Sequence, residues 1–127
     1  MEVLQELKYS ENHVWVRQEG SRAVIGLTDF AQNEFGVIVF IELPEIGETL
    51  KAGDPFGSME SVKTVTELYA PLSGKVVDVN RKLNDNPGII NMQPYHQGWV
   101  LTLEMSDASE LEQLWDAKRY EETYVHE

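Results

Sequence analysis

The segment from 57 to 65 reads Gly57-Ser58-Met59-Glu60-Ser61-Val62-Lys63-Thr64-Val65. Its composition predicts two short strands, over 56–61 and 64–70, with Val62-Lys63 between them. Turn-rich stretches lie at similar distances on either side, at 47–54 and 70–74. The pair Val62-Lys63 lacks the glycine or asparagine that favours two-residue hairpins. From these residues alone, Lys63 is an exposed lysine at the end of a hairpin, as many lysines are.

Further short strands are predicted on both sides of this hairpin. Runs rich in β-branched and aromatic residues occupy 14–17, 23–27, 37–41, 49–51 and 75–79. Glu19-Gly20-Ser21 predicts the turn between the first two runs, and the apolar run 37–41 is expected to be buried on both faces. Thr28 is expected to cap a short helix over 29–35 that ends at Gly36. Many short strands with closely spaced Gly and Pro predict a small β-sandwich or barrel.

The pattern changes after these strands. A loop is predicted at 84–88 and another strand at 99–103. From Ser106 onward a helical period places Leu111, Leu114 and Trp115 in one stripe. Ser106 or Asp107 is expected to cap this helix with Glu110 as the acid of a capping box, and Asp116 is expected to start a short helix through Tyr124. We therefore expect one domain over 1–127, with a β body over about 12–104 and an amphipathic C-terminal helical segment over about 106–124.

Composition limits the classes of function. The 127 residues include 10 Lys+Arg and 22 Asp+Glu, a formal charge of −12, and no cysteine. We expect no nucleic-acid binding, because phosphates would repel so acidic a chain, and no disulfides or thiolate zinc sites. The acids either keep the protein soluble or steer it onto basic-faced enzymes, and composition does not choose between the two.

The same data bear on location. No apolar run reaches the length of a membrane span, and the acidic start is unlike a secretory signal or a transit peptide. The sequence is therefore expected to start at or near its folded domain and to involve no membrane. The expected location is the bacterial cytoplasm, or an organelle matrix if a transit peptide has been removed.

Residues suited to catalysis are scarce. His13, His96 and His126 fall on no metal-ligand spacing, and neither an HExxH nor a GxSxG motif occurs. We expect no catalytic residue and no bound metal, so an enzyme is disfavoured.

Several motifs resemble those of one family and follow in its order. They are Tyr9-Ser10-Glu11-Asn12-His13-Val14-Trp15-Val16, Ile25-Gly26-Leu27-Thr28-Asp29-Phe30-Ala31-Gln32, Val39-Phe40-Ile41-Glu42-Leu43-Pro44 with Gly47, Glu60-Ser61-Val62-Lys63, Tyr69-Ala70-Pro71-Leu72-Ser73-Gly74, Pro94-Tyr95 and Gly98-Trp99. Together they resemble glycine cleavage H proteins, lipoyl carriers of the biotinyl/lipoyl type, over almost the whole chain. Biotin carriers differ in having methionine on both sides of the modified lysine, whereas Val62 and Thr64 flank Lys63. Lipoyl domains of 2-oxo acid dehydrogenases are usually shorter and are joined by flexible linkers to a large acyltransferase. This chain contains no such linker.

The resemblance implies a fold and a role. The fold would be a barrel-sandwich hybrid, mainly β with short helices, that carries Lys63 on a hairpin. Lys63 would bear a covalent lipoyl group on an arm with a reach of roughly 14 Å, and Glu60, Ser61, Val62 and Glu67 would contribute to recognition around it. The chain would be a monomeric, non-catalytic carrier.

The resemblance also implies partners. A pyridoxal-phosphate glycine decarboxylase would load the aminomethyl group of glycine onto the arm, and a tetrahydrofolate-dependent aminomethyltransferase would remove the one-carbon unit. Dihydrolipoyl dehydrogenase would reoxidise the dithiol, and a lipoate ligase or octanoyltransferase would attach the group. In such proteins the loaded arm folds back into a surface cleft, where acidic or hydroxyl groups protect its amine from water.

Two positions depart from the family pattern. An acid usually stands where this chain has Val14, and another where it has Val37. Losing a carboxylate beside a buried ammonium costs about 1.5–3 kcal/mol, unless Glu67, Asn12 or Glu11 compensates. An alternative role therefore stays open, a carrier in lipoate metabolism that relays octanoyl or lipoyl groups to other proteins. A third class is an interaction module that carries nothing.

Overall fold

The structure is a computed structural model that describes residues 2–125. The strands in these residues are β1 (Lys8–Tyr9), β2 (Val14–Glu19), β3 (Arg22–Leu27), β4 (Ile38–Glu42), β5 (Thr49–Leu50), β6 (Pro55–Ser61), β7 (Val65–Tyr69), β8 (Gly74–Val79) and β9 (Leu101–Met105). The helices are α1 (Asp29–Phe35), α2 (Lys82–Asp85), α3 (Ile89–Met92), a 3₁₀ helix (Ala108–Gln113), α4 (Ala117–Tyr120) and a π-helical turn (Glu121–Val125). None of these helices is long and apolar enough to cross a membrane. The prediction of a mainly β protein with short helices is confirmed.

Two antiparallel sheets form the body of the protein. The larger has the strand order β1-β2-β3-β9-β8-β5, and the smaller has the order β4-β6-β7. Both sheets contribute to one apolar core, with Ile25 and Leu103 from the larger sheet and Met59 and Leu68 from the smaller. This sandwich places the hairpin of β6 and β7 in the smaller sheet.

A second, aromatic cluster covers the other face of β2. Side chains alternate along a strand, so Val14 and Val16 enter the core while Trp15 points the opposite way. Trp15 packs there with other buried side chains, namely Leu7, Tyr9, Tyr95, Ala117 and Tyr120. The indole lies so close to Gly26 that a Cβ on Gly26 would be 2.6 Å from the ring. The N-terminal and C-terminal segments thus bury β2 on its second face.

Helix α1 begins and ends where its capping residues predict. Thr28 Oγ1 accepts a hydrogen bond from Ala31 N at 3.1 Å. Gly36 follows the helix with a φ of +78°, in the left-handed region that favours glycine.

Strand β4 lies where it was predicted, but the predicted burial on both faces is wrong. Ile38 and Ile41 are buried, whereas Val37, Val39 and Phe40 are 58%, 49% and 55% exposed. β4 is an edge strand of the smaller sheet, and only one face of that sheet packs on the core. An apolar run does not reveal which of its faces is covered, because that depends on elements remote in sequence.

The C-terminal capping prediction is correct only in part. Asp107 caps the 3₁₀ helix by accepting a hydrogen bond from Ser109 N at 3.0 Å. Glu110 does not complete a capping box. Its carboxylate accepts instead from Ser73 N at 2.7 Å and from Ser73 Oγ at 2.9 Å, which ties this segment to the turn before β8.

The C-terminal segment is helical but is divided into separate turns. Trp115 is extended, and it exchanges two backbone hydrogen bonds of 2.8 Å with Tyr9. Asp116 then caps α4 as predicted. Leu111, Leu114 and Trp115 pack against the two apolar clusters, so the segment lies on the β body as expected.

The predicted loop at 84–88 is partly helical. α2 ends at Asp85 and α3 begins at Ile89. Leu83 and Ile90 are fully buried and attach these single turns to the core. Helices of four residues are too short to show a recognisable period in the sequence.

Candidate functional site

Lys63 lies at the tip of the β6–β7 hairpin. Ser61 N donates to Thr64 O at 2.8 Å, and Ser61 Oγ accepts from Lys63 N and Thr64 N at 3.1 Å each. Ser61 is buried, so its hydroxyl is an internal acceptor for the amides of the tip. Val62 N donates to Val37 O at 3.0 Å and links the tip to the chain after α1. The backbone that carries Lys63 is therefore held in place, while the lysine side chain is exposed.

Gly36 lies beside the aliphatic stem of Lys63. A Cβ on Gly36 would be 3.4 Å from Lys63 Cε and 3.7 Å from Val62 Cγ2. The glycine that ends α1 thus also lies in contact range of the lysine stem. Its role in ending the helix was predicted, but this contact was not, because it joins two elements that are distant in sequence.

The four residues expected to assist recognition occupy different environments in the hairpin. Ser61 is the buried acceptor described above. Val62 is 65% exposed beside Lys63. Glu60 and Glu67 are both exposed, Glu60 near the tip and Glu67 further along β7.

A cleft of about 150 Å³ opens beside β7. It is lined by the segment before β2, by the ends of β3 and α1 and by β7 itself. The lining residues are Glu11, Asn12, His13, Leu27, Phe35, Thr66, Glu67, Leu68 and Tyr69. The residues considered as replacements for the missing acid at position 14, namely Glu11, Asn12 and Glu67, are all among them. A cleft with apolar walls and two carboxylates suits a ligand with an aliphatic chain and a terminal amine.

The two departures from the family pattern have different settings. Val14 is 1% exposed and packs in the core between the sheets. Val37 is exposed, and its carbonyl accepts the hydrogen bond from Val62 N. The carboxylates in the lining of the cleft are those of Glu11 and Glu67.

His13 lines the cleft and contacts the C-terminal segment. Its backbone has a φ of +68°, and its Nδ1 is 2.8 Å from the Tyr120 hydroxyl. The same hydroxyl is 2.7 Å from Thr28 Oγ1, which caps α1. Burial lowers the pKa of His13 below its usual value, with Glu34 opposing the shift. No local pattern indicates the contact with Tyr120, which lies 107 positions further along the chain.

The described part of the chain, residues 2–125, holds no group of three or more His, Asp or Glu side chains placed to bind a metal ion. His96 is exposed. His126 lies outside the described residues.

Comparisons with known proteins extend over nearly the whole chain. The family model described as glycine cleavage H-protein matches residues 7–127. The chain belongs to the glycine cleavage H-protein family. A glycine cleavage system H protein of Halalkalibacterium halodurans is 57% identical over 122 residues, covering 96% of this chain and 95% of the relative. One of Brevibacillus brevis is 57% identical over 121 residues, covering 95% of this chain and 96% of the relative.

A solved structure agrees with this assignment. The crystal structure of a glycine cleavage system H protein from Mycobacterium marinum matches with a TM-score of 0.87 and 32% identity, covering 95% of this chain and 98% of that chain. The expected barrel-sandwich hybrid and the family resemblance seen in the motifs are confirmed. The H protein is the lipoyl carrier of the glycine cleavage system, so this chain is a carrier component of that system. The alternative role in lipoyl relay is not favoured by these matches.

Proposed function

We propose that this chain carries lipoate as an amide on Lys63 Nζ and, without catalysing any step itself, shuttles the aminomethyl group of glycine between enzymes. The observation that supports the proposal is the hairpin tip, where an exposed lysine stands on a backbone held by Ser61 and Val62. A fixed backbone with a long flexible side chain lets one arm enter several active sites. When bound, the lipoyl dithiolane supplies the disulfide that takes up the aminomethyl group and is later regenerated.

The cleft is within reach of such an arm. Glu67 is four positions after Lys63, so their backbones lie at most about 13 Å apart. The arm reaches roughly 14 Å from the backbone. Glu11 and Glu67 can bind the amine of the loaded arm through charge-assisted hydrogen bonds, and Asn12 offers its side-chain carbonyl. The residues present therefore fit the lipoyl group in its loaded state.

The partners and recognition residues form part of the proposal. The partners are pyridoxal-phosphate glycine decarboxylase, tetrahydrofolate-dependent aminomethyltransferase, dihydrolipoyl dehydrogenase, and a lipoate ligase or octanoyltransferase. Glu60, Val62 and Glu67 contribute to recognition by the attaching enzyme or by the partners, and Ser61 acts by shaping the tip. The chain works as a single-domain monomer in the cytoplasm, and the bacterial origin of the relatives supports this location.

Intact-mass measurement tests the attachment site. Wild type incubated with lipoate ligase, lipoate and ATP should gain the mass of one lipoyl group. Lys63→Arg keeps the charge but lacks an acylable amine, so it should gain nothing. Lys75→Arg, which changes an exposed lysine on β8, is the matched control and should be modified like wild type. Modification of Lys63→Arg would place the attachment at another amine, and no modification of wild type would favour a module that carries nothing; either result would overturn the proposal.

Glycine–bicarbonate exchange tests the role of the loaded protein. Lipoylated wild type with a pyridoxal-phosphate glycine decarboxylase should support exchange of label between bicarbonate and the glycine carboxyl group. Absence of exchange in a fully lipoylated sample would contradict the glycine cleavage role and favour lipoyl relay.

A further inference from the structure

Exposed large apolar side chains are concentrated on the small sheet β4-β6-β7. Seven such side chains are exposed in the described residues, and two of them, Ile46 and Met92, lie outside this sheet. The other five belong to the sheet or to the chain directly beside it, and they are Val37 (58%), Val39 (49%), Phe40 (55%), Val62 (65%) and Val65 (67%). Single exposed apolar residues are ordinary, whereas a cluster indicates a contact surface. These five residues are called the apolar strip below.

Strand register places much of the strip on one face. Phe40 is paired with Glu60, and Glu60 is paired with Val65, so the three side chains form one row across the sheet. The row lies on the face turned away from the core, since all three side chains are exposed. Val62 N donates to Val37 O at 3.0 Å, which continues the strip to the residue next to Lys63.

Carboxylates accompany the strip. Glu60 lies within the row, between Phe40 and Val65. The next outward-facing row contains Glu42, Ser58 and Glu67, and Ser58 Oγ donates to Glu42 Oε1 at 3.3 Å. A partner that fits this face has an apolar centre with Lys or Arg side chains beside it.

The distances involved indicate which partner covers the strip. An enzyme that acylates Lys63 must bring its active site to Nζ, roughly 6 Å from the backbone of the tip. Enzymes that act on the finished arm meet its end roughly 14 Å away and need not cover the tip. Lys63 Cε and Val62 Cγ2 both lie near Gly36, and Val62, the member of the strip next to the lysine, is 65% exposed. An enzyme that comes this close to Nζ therefore contacts Val62, at the end of the strip, and the rest of the strip extends the same exposed surface along the sheet.

We infer that the apolar strip with Glu60 is the docking surface for the enzyme that attaches the acyl group to Lys63, which presents a basic-rimmed apolar patch. The inference rests on the proposed attachment at Lys63. In the step itself, Nζ forms an amide bond with the acyl carbon of an acyl adenylate. The bond from that carbon to the phosphate breaks, AMP leaves, and the amine releases a proton to solvent.

Acylation kinetics with purified lipoate ligase, lipoate and ATP test the inference. Phe40→Ala truncates an exposed side chain at the centre of the strip, so the fold should survive, and we expect kcat/KM for Lys63 acylation to fall about tenfold, mainly through KM. Ile46→Ala is the matched control, since Ile46 is 50% exposed and lies outside the sheet, and it should stay within about twofold of wild type. Circular dichroism confirms folding of both variants.

A second measurement, reduction by dihydrolipoyl dehydrogenase, separates a defect in docking of the attaching enzyme from a general defect in the variant protein. Variants lipoylated to completion should be reduced by dihydrolipoyl dehydrogenase at the wild-type rate. Acylation of Phe40→Ala at the wild-type rate, or an equal loss in acylation and in dehydrogenase turnover, would overturn the inference. Failure of the proposed function looks different, because wild type itself would then gain no mass at Lys63.

The salt dependence of Lys63 acylation tests whether charge attraction contributes to docking. Raising the salt concentration should lower kcat/KM for wild type, since it screens the attraction between carboxylates and basic residues. Glu60→Gln should lower kcat/KM several-fold at low salt and flatten this dependence. An unchanged salt dependence in Glu60→Gln would contradict a basic rim facing Glu60.

Discussion

The hairpin tip and the cleft beside it are held by different kinds of contact. At the tip, Ser61 Oγ accepts from two amides that lie within three residues of it. At the cleft, His13 contacts Tyr120 at 2.8 Å, and Glu11 O accepts a hydrogen bond from Tyr124 Oη at 3.1 Å. These cleft contacts span 107 and 113 positions of the chain. Apart from the hydrogen bond from Val62 N to Val37 O, the tip is held by local contacts, whereas the cleft is held by long-range ones. Attachment of the arm and docking of the arm should therefore be separable by substitution.

The largest effect is expected when the long-range support of the cleft is broken. Tyr120→Phe leaves His13 Nδ1 and Thr28 Oγ1 without their shared partner, and losing one partner of a buried hydrogen bond costs about 1–3 kcal/mol. Urea unfolding measures this loss. Tyr124→Phe removes an exposed hydrogen bond and should cost about 0.5 kcal/mol. Lys63 acylation should stay at the wild-type rate in both, and equal unfolding costs would contradict the central position of Tyr120.

A smaller effect is expected when the local support of the tip is broken. Ser61→Ala removes the acceptor of the Lys63 and Thr64 amides and should cost about 0.5–1.5 kcal/mol in unfolding free energy. Hydrogen exchange at these two amides should become faster, while the amides of the cleft keep their protection. Ser58→Ala on the same strand is the control, since its hydroxyl donates to Glu42 and not to the tip. Unchanged exchange at the Lys63 amide in Ser61→Ala would show that Ser61 does not hold the tip.

The third prediction concerns pH. Burial keeps the pKa of His13 in the folded state below its usual value of about 6.5, so between these two values the unfolded state binds more protons. Stability from this group is complete above pH 6.5 or so and declines as the pH falls from there to the folded pKa. His13→Asn removes the titration, and Asn tolerates the left-handed backbone at this position.

Urea unfolding between about pH 5 and 8 measures this prediction. The unfolding free energy of wild type relative to His13→Asn should fall below pH 6.5, with a slope no steeper than about 1.4 kcal/mol per pH unit, the value for one proton. A difference that is constant across this range would contradict a lowered pKa at the half-buried His13.

The smallest effect is expected at the exposed acid of the cleft. Glu67→Gln should change the unfolding free energy by no more than about 0.5 kcal/mol. An exposed charge pair contributes about 0–1 kcal/mol, so the loaded arm should lose its aminomethyl group to water up to about fivefold faster. Glu42→Gln on β4 is the control, because Glu42 lies in the neighbouring surface and not in the lining of the cleft. Equal rates of loss in the two variants would contradict an amine bound beside Glu67.

Features that depend on a few neighbouring residues were predicted correctly from the sequence. The hairpin around Lys63 follows from the strand composition on either side of it. The cap at Thr28 and the start of α4 at Asp116 follow from capping residues, which act within one turn of chain. The family was also evident from the sequence, because its motifs occur in order along the chain and the comparisons confirm them.

Features that depend on distant partners were not predicted. Phe40 is exposed because none of the described residues covers the outer face of the smaller sheet, and the C-terminal helix is interrupted because Trp115 pairs with Tyr9. Neither fact is contained in the period of the apolar residues, which shows a face but not what covers it.

The sequence by itself determined the candidate lysine and the hairpin that carries it. Only the tertiary structure brought Glu11, Asn12 and Glu67 to one cleft and set the apolar strip beside Lys63. The reason is physical. Turns and caps are stabilised within a few residues, whereas clefts and surfaces exist only after segments distant in sequence have packed on a common core.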